Sequence, residues 1–177
     1  MSTKNISIIA LMSAIICILA PISIPLGFTD IPISLGLFAI LITAYVLTPA
    51  QAVISVLIYI LLGSFGLPVF SKYTGGIGVL FGPTGGYIIG YLATVSISSY
   101  IIHKFPGNIL YQAISLVIGV ILCYLLGTIW FSMQKVMPFS KALILCVFPF
   151  IPADILKIII SIFIGNEINK RLVNIRK

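Results

Sequence analysis

The chain has 177 residues, 60% of them hydrophobic and only 7% charged. Soluble domains carry about 25% charged residues, so a water-facing surface is excluded and lipid must be the solvent. The net charge of +7 does not mark a nucleic-acid binder, because the basic residues fall between and after long apolar runs.

Those runs, in chain order, predict an all-α integral membrane protein with six transmembrane helices. The first runs from about Ile6 to Ile24 and follows a lone Lys4. It lacks an A-x-A-like cleavage site, so it reads as an uncleaved span. Within it Ala10 and Ala14 form A-x-x-x-A. Small residues four apart let another helix approach closely, from the protein's own bundle or from a partner membrane protein. After an irregular stretch from Pro25 to Pro32, the second run (about Ile33 to Thr48) and the third (about Ala52 to Leu67) are short and joined at Thr48-Pro49. A long Gly/Pro-rich segment, Gly66 to Gly85, leads to the fourth run, about Gly86 to Ile102. A short loop around Lys104 to Asn108 precedes the fifth run, about Ile109 to Phe131, where Tyr124, Trp130 and Phe131 suit a membrane-interface belt. After Ser132 to Lys141, the sixth begins between Ala142 and Pro152 and ends near Gly165 or beyond. Most runs approach the ~20 residues that cross a hydrocarbon core of about 30 Å. None shows the apolar/polar alternation of barrel strands.

Without repeats or a low-complexity segment, residues 1–177 read as one domain with a short basic tail at about 169–177. Lys4, Lys104, Lys170, Arg171, Arg176 and Lys177 fall on one side of the six spans, and Lys72, Lys135 and Lys141 on the other. The positive-inside rule then places both termini in the cytoplasm, with the tail against anionic headgroups. The irregular segments lie on the outer side. Cys17, Cys123 and Cys146 sit in apolar runs without Cys-x-x-Cys spacing, and His103 has no ligand partner nearby in sequence, so no metal or cofactor site is predicted.

The densest motif is GLPVFSKYTGGIGVLFGPTGGYIIG, Gly66 to Gly90. It holds neither a phosphate loop nor a dinucleotide fingerprint. Irregular backbone at membrane depth must be buried in protein or line a cavity, which makes the segment a candidate lid. A plain connector followed by close helix packing at Gly86 and Gly90 is the competing reading.

In the sixth run, Asp154 and Lys157 stand three residues apart in FPFIPADILKIIISIFIG. An ionisable group near the centre of a membrane helix costs about 2.5–3.5 kcal/mol on insertion scales. Residues three apart share a helix face. With Pro152 at the first helical position, Asp154 would stand at the third, near free N–H groups and the positive end of the dipole. A helix from Pro152 to Val173 would be roughly 33 Å long; one kinked helix from about Ala142 is the alternative. The pair fits a structural ion pair or a ligand cage that offers an acceptor and a donor together. Catalysis is the weaker reading, because no nucleophile accompanies the pair.

IPIS at Ile31–Ser34, LGSFGLPVF at Leu62–Phe70, GGIGVLFGPTGGYIIGY at Gly75–Tyr91 and FIPADILK at Phe150–Lys157 together resemble the BioY family, the biotin-specific S components of energy-coupling-factor (ECF) transporters. The resemblance implies high-affinity biotin capture and uptake at the cytoplasmic membrane by a non-enzymatic, multi-pass protein. It also implies a membrane coupling (T) subunit and two cytosolic ATPases as partners. Ala10 and Ala14 match the face that meets the coupling subunit. On the site, the resemblance implies that Asp154 accepts a ureido N–H, while Lys157 donates to the ureido oxygen or the carboxylate. Tyr73, Thr74 and the Gly75-Gly76 amides would close over the ligand, Tyr87 would line the pocket, and Phe28 and Phe70 would pack on the bicyclic ring. The chain departs from the family pattern at Thr74 (often Asn), Ile88 (Arg) and Gly36 (Gln), which leaves the partner of the biotin carboxylate open. An S component for another vitamin and a structural membrane protein remain the alternatives.

Overall fold

A computed structural model of the chain describes the backbone of residues 3–176 and the side chains of 3–169 and 171. Among these residues eight α-helices run α1 (Thr3–Leu19), α2 (Gly36–Val46), α3 (Pro49–Ser64), α4 (Ile77–Leu80), α5 (Gly85–Lys104), α6 (Ile109–Gln134), α7 (Phe139–Cys146) and α8 (Ile151–Arg176). The only strands among the described residues are β1 (Ser23–Ile24) and β2 (Ile33–Ser34), paired antiparallel with Ser23 opposite Ser34.

This short pair interrupts an otherwise helical architecture. The first apolar run continues to Ile24, but α1 stops at Leu19 ahead of Pro21. Proline has no N–H to extend a helix. The chain turns instead, and Pro25 and Pro32 bracket the segment between the strands. The second run correspondingly starts as strand, leaving α2 only 11 residues, about 16 Å of helix.

α2 is the centre of the bundle. All its residues except Phe38 are buried, as expected of a helix that is apolar on every face. It packs against α1, α3, α5 and α8. α5 and α6 are long and apolar enough to span a membrane; α7 and α8 pass the same test together, bent by 56°. α1, α2 and α3 are shorter apolar helices. Buried hydroxyls tie the helices together: Ser13 and Ser55 lie 3.1 Å apart, Thr94 donates to Gly119 O at 2.8 Å, and Ser99 donates to Leu47 O at 2.8 Å. Such contacts are the usual adhesive between helices in lipid, where apolar burial gives no net drive. Gly86 and Gly90 sit where α5 meets α6; a Cβ at Gly90 would lie 3.0 Å from Cys123 Cα.

The final bend lies between the two readings of the sixth run. Val147 N–H still reaches Leu143 O at 3.0 Å, and Ile151, not Pro152, opens α8. Asp154 N–H donates to Phe150 O at 2.9 Å. Asp154 thus lies in the first turn of α8, as expected, and its carboxylate is met by Lys157 and Tyr124. α8 continues through Arg176, and most side chains of the basic tail at 169–177 lie outside the described residues.

Two members of the expected interface belt are placed otherwise. Phe131 is buried with Ile31, Ala142, Cys146 and Phe150, and Tyr124 turns its hydroxyl inward onto Asp154. The 25–32 segment and the α6–α7 connection meet through the Asp30–Lys135 ion pair, 2.6 Å, and Lys72 of the glycine-rich segment reaches Asp30 O at 3.5 Å. All three irregular segments thus gather at one end of the bundle.

Candidate functional site

At that end a cavity of about 270 Å³ opens between the irregular segments and α2, α3, α5, α6 and α8. Its size is close to the lower end of the roughly 300–1,000 Å³ of small-molecule sites. The deep wall is the Asp154–Lys157 pair. Lys157 Nζ donates to Asp154 Oδ1 at 2.7 Å, and their side chains are only 11% and 6% exposed, Lys157 first. Tyr124 on α6 donates its hydroxyl to the other oxygen, Oδ2, at 2.5 Å. Both carboxylate oxygens are therefore held, yet a carboxylate offers about four acceptor positions and an ammonium three donors. The cluster keeps capacity on both sides for a ligand that presents donors and an acceptor together.

The walls are aromatic and apolar with few hydroxyls. Tyr59, Tyr87, Tyr91 and Phe70 line the space. Phe70 meets Tyr59 edge-on, with centroids 5.5 Å apart at 84°, an orientation that the ring quadrupoles favour. Tyr87 is fixed by two bonds, to Cys146 O at 3.1 Å and Thr128 Oγ1 at 3.3 Å. Gly36 lies just behind the cavity; a Cβ there would meet Ser34 Oγ at 3.0 Å and Tyr91 Oη at 3.1 Å.

The Gly66–Gly85 segment covers the cavity. It contains a 3₁₀ turn at Ser71–Tyr73 and α4. Phe70 N–H bonds Thr74 O at 2.9 Å to close a tight loop, and Trp130 Nε1 donates to Gly82 O at 2.9 Å, tying the far end to α6. Phe70, Thr74, Val79 and Pro83 face the cavity.

Of the residues singled out from sequence, the fold brings Asp154, Lys157, Thr74, Tyr87 and Phe70 to one cavity. The others lie elsewhere. Tyr73 is 67% exposed and Phe28 58%; Phe28 borders a separate, shallower recess beside Asp30 and Lys135. Gly76 N–H is already used by Gly63 O at 2.7 Å, and a Cβ at Gly75 would collide with the Leu67 carbonyl. Ala10 and Ala14 lie on an exposed face of α1 with Leu11 and Ile18. Sequence reasoning missed Tyr124, Tyr91, Tyr59 and Lys72. The α6 face that carries Tyr124 also carries Val120, Gly127 and Phe131 (i−4, i+3, i+7), which looks like any packed helix face.

Among known proteins, the family model described as the BioY family matches residues 1–174. The biotin transporter BioY2 of Lactococcus lactis is 34% identical over 173 residues, covering 98% of this chain and 94% of that protein. The biotin transporter BioY of Thermotoga maritima is 34% identical over 160 residues, covering 90% and 92%. A crystal structure of the S-component for biotin from an ECF-type ABC transporter superposes with a TM-score of 0.89 at 32% identity, covering 96% of this chain and 95% of that one.

Proposed function

The chain belongs to the BioY family, and from that premise we propose that it captures biotin as the S component of an ECF-type transporter. The observation that carries this reading is the Asp154 carboxylate, buried in the cavity and held on one side by Lys157 and on the other by Tyr124. Biotin's ureido ring presents two N–H donors and one carbonyl. Asp154 accepts an N–H through its free lone pairs, and Lys157 donates to the ureido oxygen with a proton that Asp154 does not use. Tyr124 holds the carboxylate in the orientation that faces the ligand. Phe70, Tyr59 and Tyr87 supply apolar surface for the bicyclic ring, and the Gly66–Gly85 segment closes over it.

In the membrane, the six-span arrangement with both termini in the cytoplasm turns the lid end outward, where the vitamin is met. The protein resides in the cytoplasmic membrane. It works with a membrane coupling subunit and two ATPases, which hydrolyse ATP; the chain itself has no Walker motif. The exposed Ala10/Ala14 face of α1 is the docking surface for the coupling subunit, because small side chains permit close backbone approach.

The test is calorimetric titration of the purified full chain in lipid nanodiscs with biotin and desthiobiotin. Saturable binding with one site per chain is expected. Binding of neither, or stabilisation by a different vitamin in a thermal-shift panel, overturns the assignment.

A further inference from the structure

The cavity carries two cationic side chains among the described residues that line it, Lys72 and Lys157. Lys157 is buried and committed to Asp154 at 2.7 Å. Lys72 differs in every respect. It is exposed at the opposite, open end of the same cavity and forms no ion pair among the described residues. Its Nζ makes a long 3.5 Å bond to the Asp30 carbonyl. The carboxylate of the same Asp30 is already held by Lys135 at 2.6 Å.

The backbone at this position is strained and held. Lys72 has φ 61° and ψ 29°, and Tyr73 follows with φ 56°. Two successive non-glycine residues in the left-handed region cost roughly 1–2 kcal/mol each. Such strain persists only where surrounding structure enforces it, and it concentrates at ligand clamps. Here the enforcement is visible. Lys72 N–H donates to Ser23 Oγ at 3.0 Å and to Pro21 O at 3.2 Å, pinning the turn to the β1 hairpin. The other wall positions near the lid offer no positive charge: Ile88 is apolar, and the Thr74 hydroxyl donates its proton to Ser71 O at 2.9 Å.

We infer that Lys72 is the specificity-determining residue for an anionic group at the outer end of the ligand. With the ring lodged against Asp154 and Lys157, that group is the carboxylate of the valeryl chain. The inference rests on the biotin reading above. It places a self-neutralised ion pair at the deep end and an uncompensated cation at the mouth, matched to a ligand with a neutral polar head and a charged tail.

The experiment compares biotin with its uncharged methyl ester, by calorimetry on the full chain in nanodiscs, for the native protein, Lys72→Met and Lys72→Arg. An exposed charge-assisted contact should favour biotin over the ester by about 5–10-fold in the native protein. Lys72→Met should lower biotin affinity by about that factor, leave the ester within twofold, and so erase the preference; Lys72→Arg should retain it. The inference is overturned if Lys72→Met keeps the native preference, as it would if the ammonium met only lipid phosphate. It is also overturned if acid and ester affinities fall together, which would mark a purely structural turn. A native protein that binds neither compound removes the biotin reading itself, an outcome distinct from loss of discrimination alone.

Discussion

The Asp154–Lys157 pair allows a structural role and a ligand-holding role to be separated by one set of variants. In Lys157→Met the carboxylate loses the partner at 2.7 Å and keeps only Tyr124, in a side chain 6% exposed. Removing one member of a buried ion pair costs about 3–5 kcal/mol, because the other charge is left uncompensated. For a chain of this size each kcal/mol moves Tm by about 2–4 °C, so a fall of roughly 6–20 °C is expected in thermal unfolding of the purified protein. The double variant Asp154→Asn/Lys157→Met buries no charge. The amide oxygen still accepts from Tyr124, and most of the lost stability should return. Ligand binding should not return with it. Two charge-assisted hydrogen bonds are worth about 1.5–3 kcal/mol each, so their joint loss weakens biotin by at least about 100-fold. Calorimetric titration beside the melting curve reads both quantities on one sample. A double variant that binds biotin within about threefold of the native protein would refute the ligand-cage reasoning and leave the pair a structural clasp.

Three further outcomes follow from the same geometry. Tyr124→Phe removes the 2.5 Å bond to Asp154 and should weaken biotin about tenfold, the low end for a hydrogen bond to a charged group; unchanged affinity would show that Lys157 alone orients the carboxylate. Gly63→Ala places a methyl group into the Phe70 ring, which is 1% exposed and cannot swing into solvent. That overpacking should cost about 1–3 kcal/mol of stability and lower biotin affinity, both read by melting with and without ligand. Ala10→Trp/Ala14→Trp adds bulk to an exposed face of α1 remote from the cavity lining; biotin binding should persist while uptake into cells that carry the coupling subunit and ATPases is lost, and normal uptake would rule this face out for docking.

Legibility differed from one part of the chain to another. The long runs of α5 and α6 were readable because every stretch of a lipid-facing helix must be apolar, whatever its neighbours. α2 looks from sequence like the other apolar runs, and only the fold shows that it is an 11-residue helix buried on nearly all sides. Lipid and protein interior select the same side chains, so hydropathy cannot separate the two. The stop at Leu19 is written in Pro21, although the apolar run itself continues to Ile24. Asp154 and Lys157 stood out because ionised groups are costly in oil. Tyr124 did not, since a tyrosine in an apolar helix suits an interface, a core or a site equally well. Lys72 is an ordinary loop charge in sequence, and only the fold gives it a left-handed backbone and a place at the cavity.

The sequence by itself determined that the protein lives in lipid, which residues carry unusual cost there, and, through GLPVF, GPTGGY and FIPADILK, the family to which the chain belongs. These properties reside in composition and local order, which any segment displays alone. Only the tertiary structure decided that both oxygens of Asp154 are held, by Lys157 of its own helix and Tyr124 of α6. It also decided that the Gly76 amide is taken by Gly63 O and that Gly75 packs against the Leu67 carbonyl, and that a lysine with no ion pair among the described residues stands across the cavity from a paired one. Those facts depend on which elements far apart in sequence come within hydrogen-bonding reach, and that is settled by packing between helices, not by any one of them.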